Sequence, residues 1–427
     1  MNRKVFFALA AAALGFGQNA PVVSLADALE RARQNGGQVQ GANLAVAQAR
    51  EDRVQARAAS LPSLNAFNQY IYTEGNGTPS GVFVANDGVH IYNEQAVVHQ
   101  ELLSLVRHGE IRRALAAEAV ARARVDVAVR GLSATVIQDY YAIVAAERKA
   151  KNSAISLHEA EQFHDIAQKQ EKGGEVAHAD VIKSQIDLEQ RRRDLQEAQL
   201  AIEKAKIALG VLIFPNFAAD FSVIDDLQQT APLPPAVDAQ AQALKSSPDL
   251  KAAKATVTEA GYDLDVARYA YLPSFALDFF YGIDANQFDT RSRDRQALGY
   301  VAQATLNIPV WNWGATRSKV RQAELRRDQA QLDLSLAQRN LDSNLAAYYA
   351  EARTAQSQLD SLRSSVELAT ESLRLTLLRY RAGESTALEV VDAQNTATLA
   401  RNGLDDGLAR YRVALVNLQV LTGEFRP

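Results

Sequence analysis

The run Tyr380-Arg381-Ala382-Gly383-Glu384-Ser385-Thr386-Ala387-Leu388-Glu389-Val390-Val391-Asp392-Ala393-Gln394 decides the fold. On its N-terminal side, Ala315–Ala382 holds neither glycine nor proline. Nothing there interrupts a helix, and at 1.5 Å per residue the stretch would be a rod of about 100 Å. Gly383 can supply the left-handed conformation that ends such a helix. Ser385–Leu421 then reads as a second helix that carries the chain back. Leu334, Leu341 and Tyr348 lie on one stripe, Leu325 and Leu332 on another, so the rod is predicted to pack on two sides, as in a coiled coil. Alanine on the other faces lets neighbours come close.

The same turn occurs earlier in the chain. Gly174-Glu175 matches Gly383-Glu384, followed by Val181/Val390 and Gln185/Gln394. Tyr140-Tyr141-Ala142 matches Tyr348-Tyr349-Ala350, and Gln95-Ala96 matches Gln303-Ala304. Leu25–Leu64 aligns without gaps on Ala236–Phe275, pairing Asp27/Asp238, Val46/Val257, Asp52/Asp263 and Arg57/Arg268. An ordered series of this kind marks an internal duplication. The expected organisation is a first repeat at 21–213, a linker at 214–235 and a second repeat at 236–427.

Each repeat opens with a short helix, broken at Gly36-Gly37 or Ser247-Pro248, and a longer one reaching Ala59 or about Ala270. Leu61-Pro62-Ser63 and Leu272-Pro273-Ser274 then stop the helix, because proline disfavours the α region just before it. Strand alternation follows. Tyr300, Ala302, Ala304, Leu306, Ile308 and Val310 share one face, opposite Gln303, Thr305 and Asn307, within a predicted strand Tyr300–Trp311. Phe275, Leu277, Phe279 and Tyr281 alternate with Ser274, Ala276, Asp278 and Gly282, and a weaker pattern covers Gln95–Leu102. Such strands suit a membrane β-barrel. Thr73–Asn93 and Ile283–Gln296 read as polar loops between them. The first rod, Ile111–Glu171, ends at Lys172-Gly173-Gly174 and returns as Val176–Leu209. Four strand signals cannot close a membrane barrel alone, and open edges are forbidden in lipid, so the chain must oligomerise to insert.

The remaining sequence bounds the function. Met1–Ala20 carries Arg3 and Lys4, an apolar Val5–Leu14 and small residues after it, the pattern of a secretory signal peptide. Cleavage is expected after Gly17 or Ala20, and no cysteine follows to be lipidated. The 427-residue chain has no cysteine at all, hence no disulfide, thiolate metal site or thiol nucleophile. A net charge of −4 without a Lys/Arg-rich block argues against nucleic-acid binding. No phosphate loop or Ser-His-Asp constellation appears, so no enzyme activity and no cofactor are expected.

In this element order, and in the runs Asn307-Ile308-Pro309-Val310-Trp311-Asn312-Trp313-Gly314 and Tyr380–Gln394, the chain resembles the TolC-like outer-membrane efflux protein family. The likeness spans essentially everything after the signal peptide. It implies a mainly α fold with a small membrane β-barrel portion: a homotrimer whose chains each give four strands to a twelve-stranded barrel in outer-membrane lipid. Long antiparallel helices would form a periplasmic α-barrel. The implied function is a passive exit duct of a tripartite efflux or type I secretion system. A periplasmic adaptor and an inner-membrane pump would be its partners, the pump supplying the energy. The alternative is a secreted coiled-coil scaffold or adhesin stalk without a pore.

The resemblance also assigns sites. Glu389 and Asp392 match the family's acidic ring at the periplasmic mouth; on their own, acids near a helix N-terminus simply oppose the macrodipole. Asp180 and Tyr380 match the polar network that keeps the tip shut. Ser385 stands where an arginine is expected, and nearby Arg381 is the candidate substitute. Gly173, Gly174, Ala382 and Gly383 would dock the adaptor's hairpin, besides being tight turns. Tyr300, Trp311 and Trp313 suit either an interfacial aromatic belt or a packed core. His158, Glu161 and Asp165 share a helical face that could hold a metal or, as is expected here, merely face solvent.

Overall fold

The computed structural model describes residues 21–72, 90–216, 220–228, 232–285, 291–292, 295–296 and 298–423. In chain order they form β1 (Val22–Val23), α1 (Leu25–Asn35), α2 (Gly37–Ala58), β2 (Ser63–Tyr72), β3 (His90–Leu103), α3 (Leu105–Lys172) and α4 (His178–Ile213). The second series is β4 (Ser222–Val223), α5 (Ala236–Ser246), α6 (Pro248–Tyr269), β5 (Ser274–Ala285), β6 (Arg291–Ser292), β7 (Arg295–Gln296), β8 (Leu298–Asn307), α7 (Ala315–Arg381) and α8 (Ala387–Thr422). The predicted signal peptide lies outside the described residues. Two compact units emerge, one from Gly37–Arg130 and Ala243–Asn344, the other from the remainder; α3, α5 and α7 contribute to both.

In the first of these units, β2 and β5 start at the serines of the two Leu-Pro-Ser stops. The helices before them unwind through bonds from Ser60 N to the Arg57 carbonyl (3.1 Å) and from Leu272 N to the Tyr269 carbonyl (2.9 Å). The four long strands pair antiparallel in the order β2-β3-β5-β8. Because successive residues alternate faces, the register sorts side chains into rows. Leu64, Val98, Phe279 and Ala302 lie side by side on one face. Ser63, His99, Asp278 and Gln303 lie side by side on the other. Gly282 faces β3 so closely that a Cβ there would sit 2.6 Å from the Cα of Gln95. At the end of β3 the register slips between Glu101 and Leu103, making Leu102 the extra residue of a bulge before α3 begins. Among the helices, Arg53 and Arg122 both bond Glu118, and Arg113 and Arg326 both reach Asp263 at 3.3 Å.

The other unit contains β1, α1, α4, β4 and α8 with the remaining parts of α3, α5 and α7. Ser24 caps α1 reciprocally with Asp27, and Leu25, Ala28, Leu29 and Ala32 form its buried stripe. Gly36 ends that helix where a Cβ would fall 2.6 Å from Leu132. The linker is tied down here. β1 and β4 pair in parallel, and the buried Tyr140 hydroxyl accepts from Ile224 N (3.0 Å) and donates to the Ile224 carbonyl (2.9 Å). Burial pushes that phenol up to about 12. Arg148 binds Asp225 and Asp405, while Arg412 binds Asp226 and the Tyr141 hydroxyl. A polar seam joins α3 to α8: Asn152 to Asp405 (2.8 Å), Ser156 to Thr398 (2.6 Å), and Glu159 to Arg401 (2.7 Å).

Three expectations about strand limits need correction. β3 begins at His90, inside the segment read as a loop, and β5 runs on to Ala285. The short pair β6–β7 occupies part of the second predicted loop. β8 stops at Asn307 rather than at Trp311, because Pro309 has no N–H to give a ladder. Trp311 and Trp313 therefore belong to the connection into α7 and not to a strand. There Asn312 accepts from Thr316 N, and Trp313 and Gly314 both take positive φ.

Candidate functional site

The hairpin tips share one backbone design. Gly174 N bonds the Glu171 carbonyl (2.9 Å) and Glu175 N bonds the Gln170 carbonyl (2.9 Å). In the second tip Gly383 N bonds the Tyr380 carbonyl (3.0 Å) and Glu384 N the Arg379 carbonyl (2.9 Å). Gly174 and Gly383 hold φ of 75° and 77°, the left-handed position of a Schellman turn. Gly173, Gly174, Ala382 and Gly383 are all exposed.

Beneath the turns lies an apolar plug. Phe163 of α3 meets Tyr380 of α7 edge to face, with centroids 5.1 Å apart. Ala387, Val390 and Val391 of α8 complete the cluster, against which Ile166, Val176 and Leu377 pack. Gln170 Nε2 reaches the carbonyls of Tyr380 and Arg381 at 3.5 and 3.4 Å. The Tyr380 hydroxyl is sealed in without a hydrogen-bond partner among the described residues. Burial first, and then the charge of Asp180, pushes its ionisation up.

The residues named from the sequence separate into distinct roles. Asp180 is half-buried in the first turn of α4, close enough to act on Tyr380 electrostatically but not hydrogen-bonded to it. Glu389 closes a capping box with Thr386 at the start of α8 and lies 3.9 Å from Arg379. Asp392 is exposed on the same helix. Arg381 is exposed and engaged through its carbonyl; the arginine that meets the acidic residue is Arg379, which also donates to the Glu384 carbonyl at 3.0 Å. Ser385 donates to the Thr376 carbonyl. Tyr300 stacks on Phe279 in the sheet, and Trp311 meets Trp313 edge to face beyond the strand's end. His158 lies beside Gln162 and Asp165 pairs with Lys169, so that helical face is engaged locally.

Sequence reading missed several members. Ser156, Phe163 and Gln170 recur every seven residues on α3 and supply the Thr398 bond, the plug ring and the tip contact respectively. That spacing was a usable signal. Arg191 was not readable: it lies buried on α4 between Asp187 (3.2 Å) and Asn395 of α8 (2.5 Å). Desolvation raises the Asp187 carboxyl above its usual range, against the pull of Arg191.

The described residues thus combine a four-stranded antiparallel sheet with helices of 67 and 68 residues. No described helix is itself long and apolar enough to cross a membrane. The family model for outer membrane efflux proteins matches residues 28–213 and again 240–424. The chain belongs to that family. It is 25% identical over 326 residues to outer membrane protein OprJ of Pseudomonas aeruginosa, an alignment covering 72% of this chain and 64% of OprJ, a little under two thirds. It is 22% identical to the alkaline protease secretion protein AprF of the same organism, over 99% of this chain and 89% of AprF. The CmeC outer membrane channel of Campylobacter jejuni shares the fold with a TM-score of 0.82 at 17% identity, over 99% of this chain and 94% of CmeC.

Proposed function

We propose that this chain is one third of a passive outer-membrane exit duct serving a tripartite efflux or type I secretion system. The observation that carries it is the sheet β2-β3-β5-β8, whose outer strands β2 and β8 have no neighbour on one side among the described residues. In lipid such edges must be paired, and three copies joined edge to edge close the barrel. The helical hairpins then reach into the periplasm, where an adaptor would dock on Gly173, Gly174, Ala382 and Gly383 and an inner-membrane pump would supply the energy. Asp180, Tyr380, Arg381, Glu389 and Asp392 form the periplasmic gate in this reading, with opening a two-state movement of the hairpins biased by partner contacts. Tyr300, Trp311 and Trp313 would sit at the membrane interfaces. AprF is named for protease secretion and OprJ for no cargo, so cargo is set by the pump.

Reconstitution of the purified, detergent-extracted protein in planar bilayers tests this. Discrete channels with cation preference are expected, and Glu389→Ala with Asp392→Ala should weaken the preference. Unchanged selectivity removes those two residues from the mouth. A protein that stays soluble without detergent and forms no channel would instead be a stalk or scaffold.

A further inference from the structure

One titratable pair in the sheet has no part in the gate. His99 Nδ1 of β3 and Asp278 Oδ1 of β5 are 2.6 Å apart, directly opposite one another in the register. They sit in the row Ser63–His99–Asp278–Gln303, which is polar across all four strands. The reverse face is the more apolar at this level, with Leu64, Val98, Phe279 and Leu306, and its charged residue Glu94 lies four positions nearer the start of β3 than Val98. Lipid must contact the apolar face, because a charged group turned into hydrocarbon would be desolvated without compensation. His99 and Asp278 therefore face the inside of the barrel.

We propose that His99 and Asp278 form a proton-controlled, cation-selecting site on the barrel wall, repeated three times around the lumen. This rests on the exit-duct reading. With a neutral imidazole the row carries one net negative charge per chain; with an imidazolium it carries none. Imidazoles change charge between about pH 5 and 8. By register Asp284 shares this face of β5 but lies six positions along the strand from Asp278, and nearer the pair no further unpaired charge stands among the described residues. Ser63 and Asn65 on β2, Val97 and Gln95 on β3, Ala276 and Phe280 on β5, and Val301, Gln303 and Thr305 on β8 carry no charge. Glu101, two residues along β3, is already paired with Arg107 at 2.9 Å. The sequence hid the pair, since its members are 179 positions apart.

Reversal potentials of the reconstituted trimer under a KCl gradient test the inference. Salt near 10 mM lets wall charges act over a Debye length of about 30 Å. The wild-type cation preference should fall between pH 8 and pH 5. His99→Gln should keep the preference at both values. Asp278→Asn should weaken it at pH 8 and weaken it further at pH 5, leaving the share that Glu389 and Asp392 supply. Glu389 and Asp392 are intact in both variants, so they cannot produce the difference. Conductance whose pH dependence survives in both variants overturns the inference alone, as does a wild-type selectivity that is flat over this range. The wild-type test needs no variant to fold, and His99→Asn with Asp278→Ser repeats the comparison with smaller side chains. Absence of any conductance overturns the exit-duct reading and this site with it.

Discussion

Tyr380→Phe separates two ways in which the tip could be held. Tyr380 is 1% exposed within a single chain, enclosed by Phe163, Val390 and Val391 of that chain. An atom from another subunit could not reach its hydroxyl without displacing those residues, and the hydroxyl has no partner among the described residues. A buried polar group left unpaired costs about 1–3 kcal/mol. Removing it while keeping the ring should thus leave stability equal or slightly higher, with the edge contact to Phe163 intact. Tyr380→Ala empties the plug instead, at about 3–5 kcal/mol, the usual cost of deleting a buried aromatic ring. The assays are thermal unfolding of the detergent-solubilised protein and open probability in planar bilayers. The Phe variant should match the wild type in both, and the Ala variant should unfold earlier and open more often. A Phe variant that opens the channel, or that loses more than about 1 kcal/mol, would show that the hydroxyl carries the contact.

Two further outcomes follow from backbone and charge. Gly282→Ala places a methyl group against the backbone of Glu94 and Gln95, which cannot yield as a flexible side chain would. It should abolish assembly of the trimer on unheated gels, whereas Gly299→Ala, with open space around it, should assemble normally. Asp187→Asn tests the buried pair on α4. Its carboxyl is held above the ordinary 3.8, so its contribution to stability is complete below that pH and is lost as pH rises through the elevated value. The melting temperature of the wild type relative to the Asn variant should therefore decline on going from about pH 4 towards neutrality. A difference that does not change with pH refutes the raised carboxyl.

The sequence carried the long-period features well, and the reasons are physical. Helices α3 and α7 were visible because a rod tolerates few glycines or prolines, and the turns because only Gly174 and Gly383 relieve the strain of positive φ. β2 and β5 were fixed at their starts by Pro62 and Pro273. What escaped was short or long-range. β1 and β4 are two residues each, too brief for any alternation, and are held by Tyr140 from a distant helix. Trp311 read as strand because Ile308 and Val310 continue the apolar alternation; Pro309 ends the hydrogen bonding without ending the pattern. Arg379 escaped because its neighbour Arg381 has the same chemistry and only three-dimensional placement tells which one meets Glu389.

The residues proposed as the gate stand in different settings in the two repeats. At the second tip, Arg379 near the end of α7 and Glu389 in the first turn of α8 each stand where the helix macrodipole favours their charge, and Thr386 caps the helix. At the first tip Ala177 offers no side-chain cap, but Asp180 in the first turn of α4 and Lys169 and Lys172 in the last turn of α3 stand where the macrodipole favours their charge. Glu171 and His178 also meet across this turn at 2.5 Å. Exposed pairs of this kind contribute about 0–1 kcal/mol. The second tip differs in its reciprocal Thr386–Glu389 cap and in carrying the plug ring Tyr380. What holds α8 to α3 is the polar seam of Asn152, Ser156 and Glu159, whose rungs can exchange protein partners for water at about 0.5–1.5 kcal/mol each. An apolar seam of the same length would have to expose its surface to separate. In the exit-duct reading, opening would trade these polar rungs for water and part the cluster around Phe163 together with the Gln170 contacts to α7 and the Arg191–Asn395 bond.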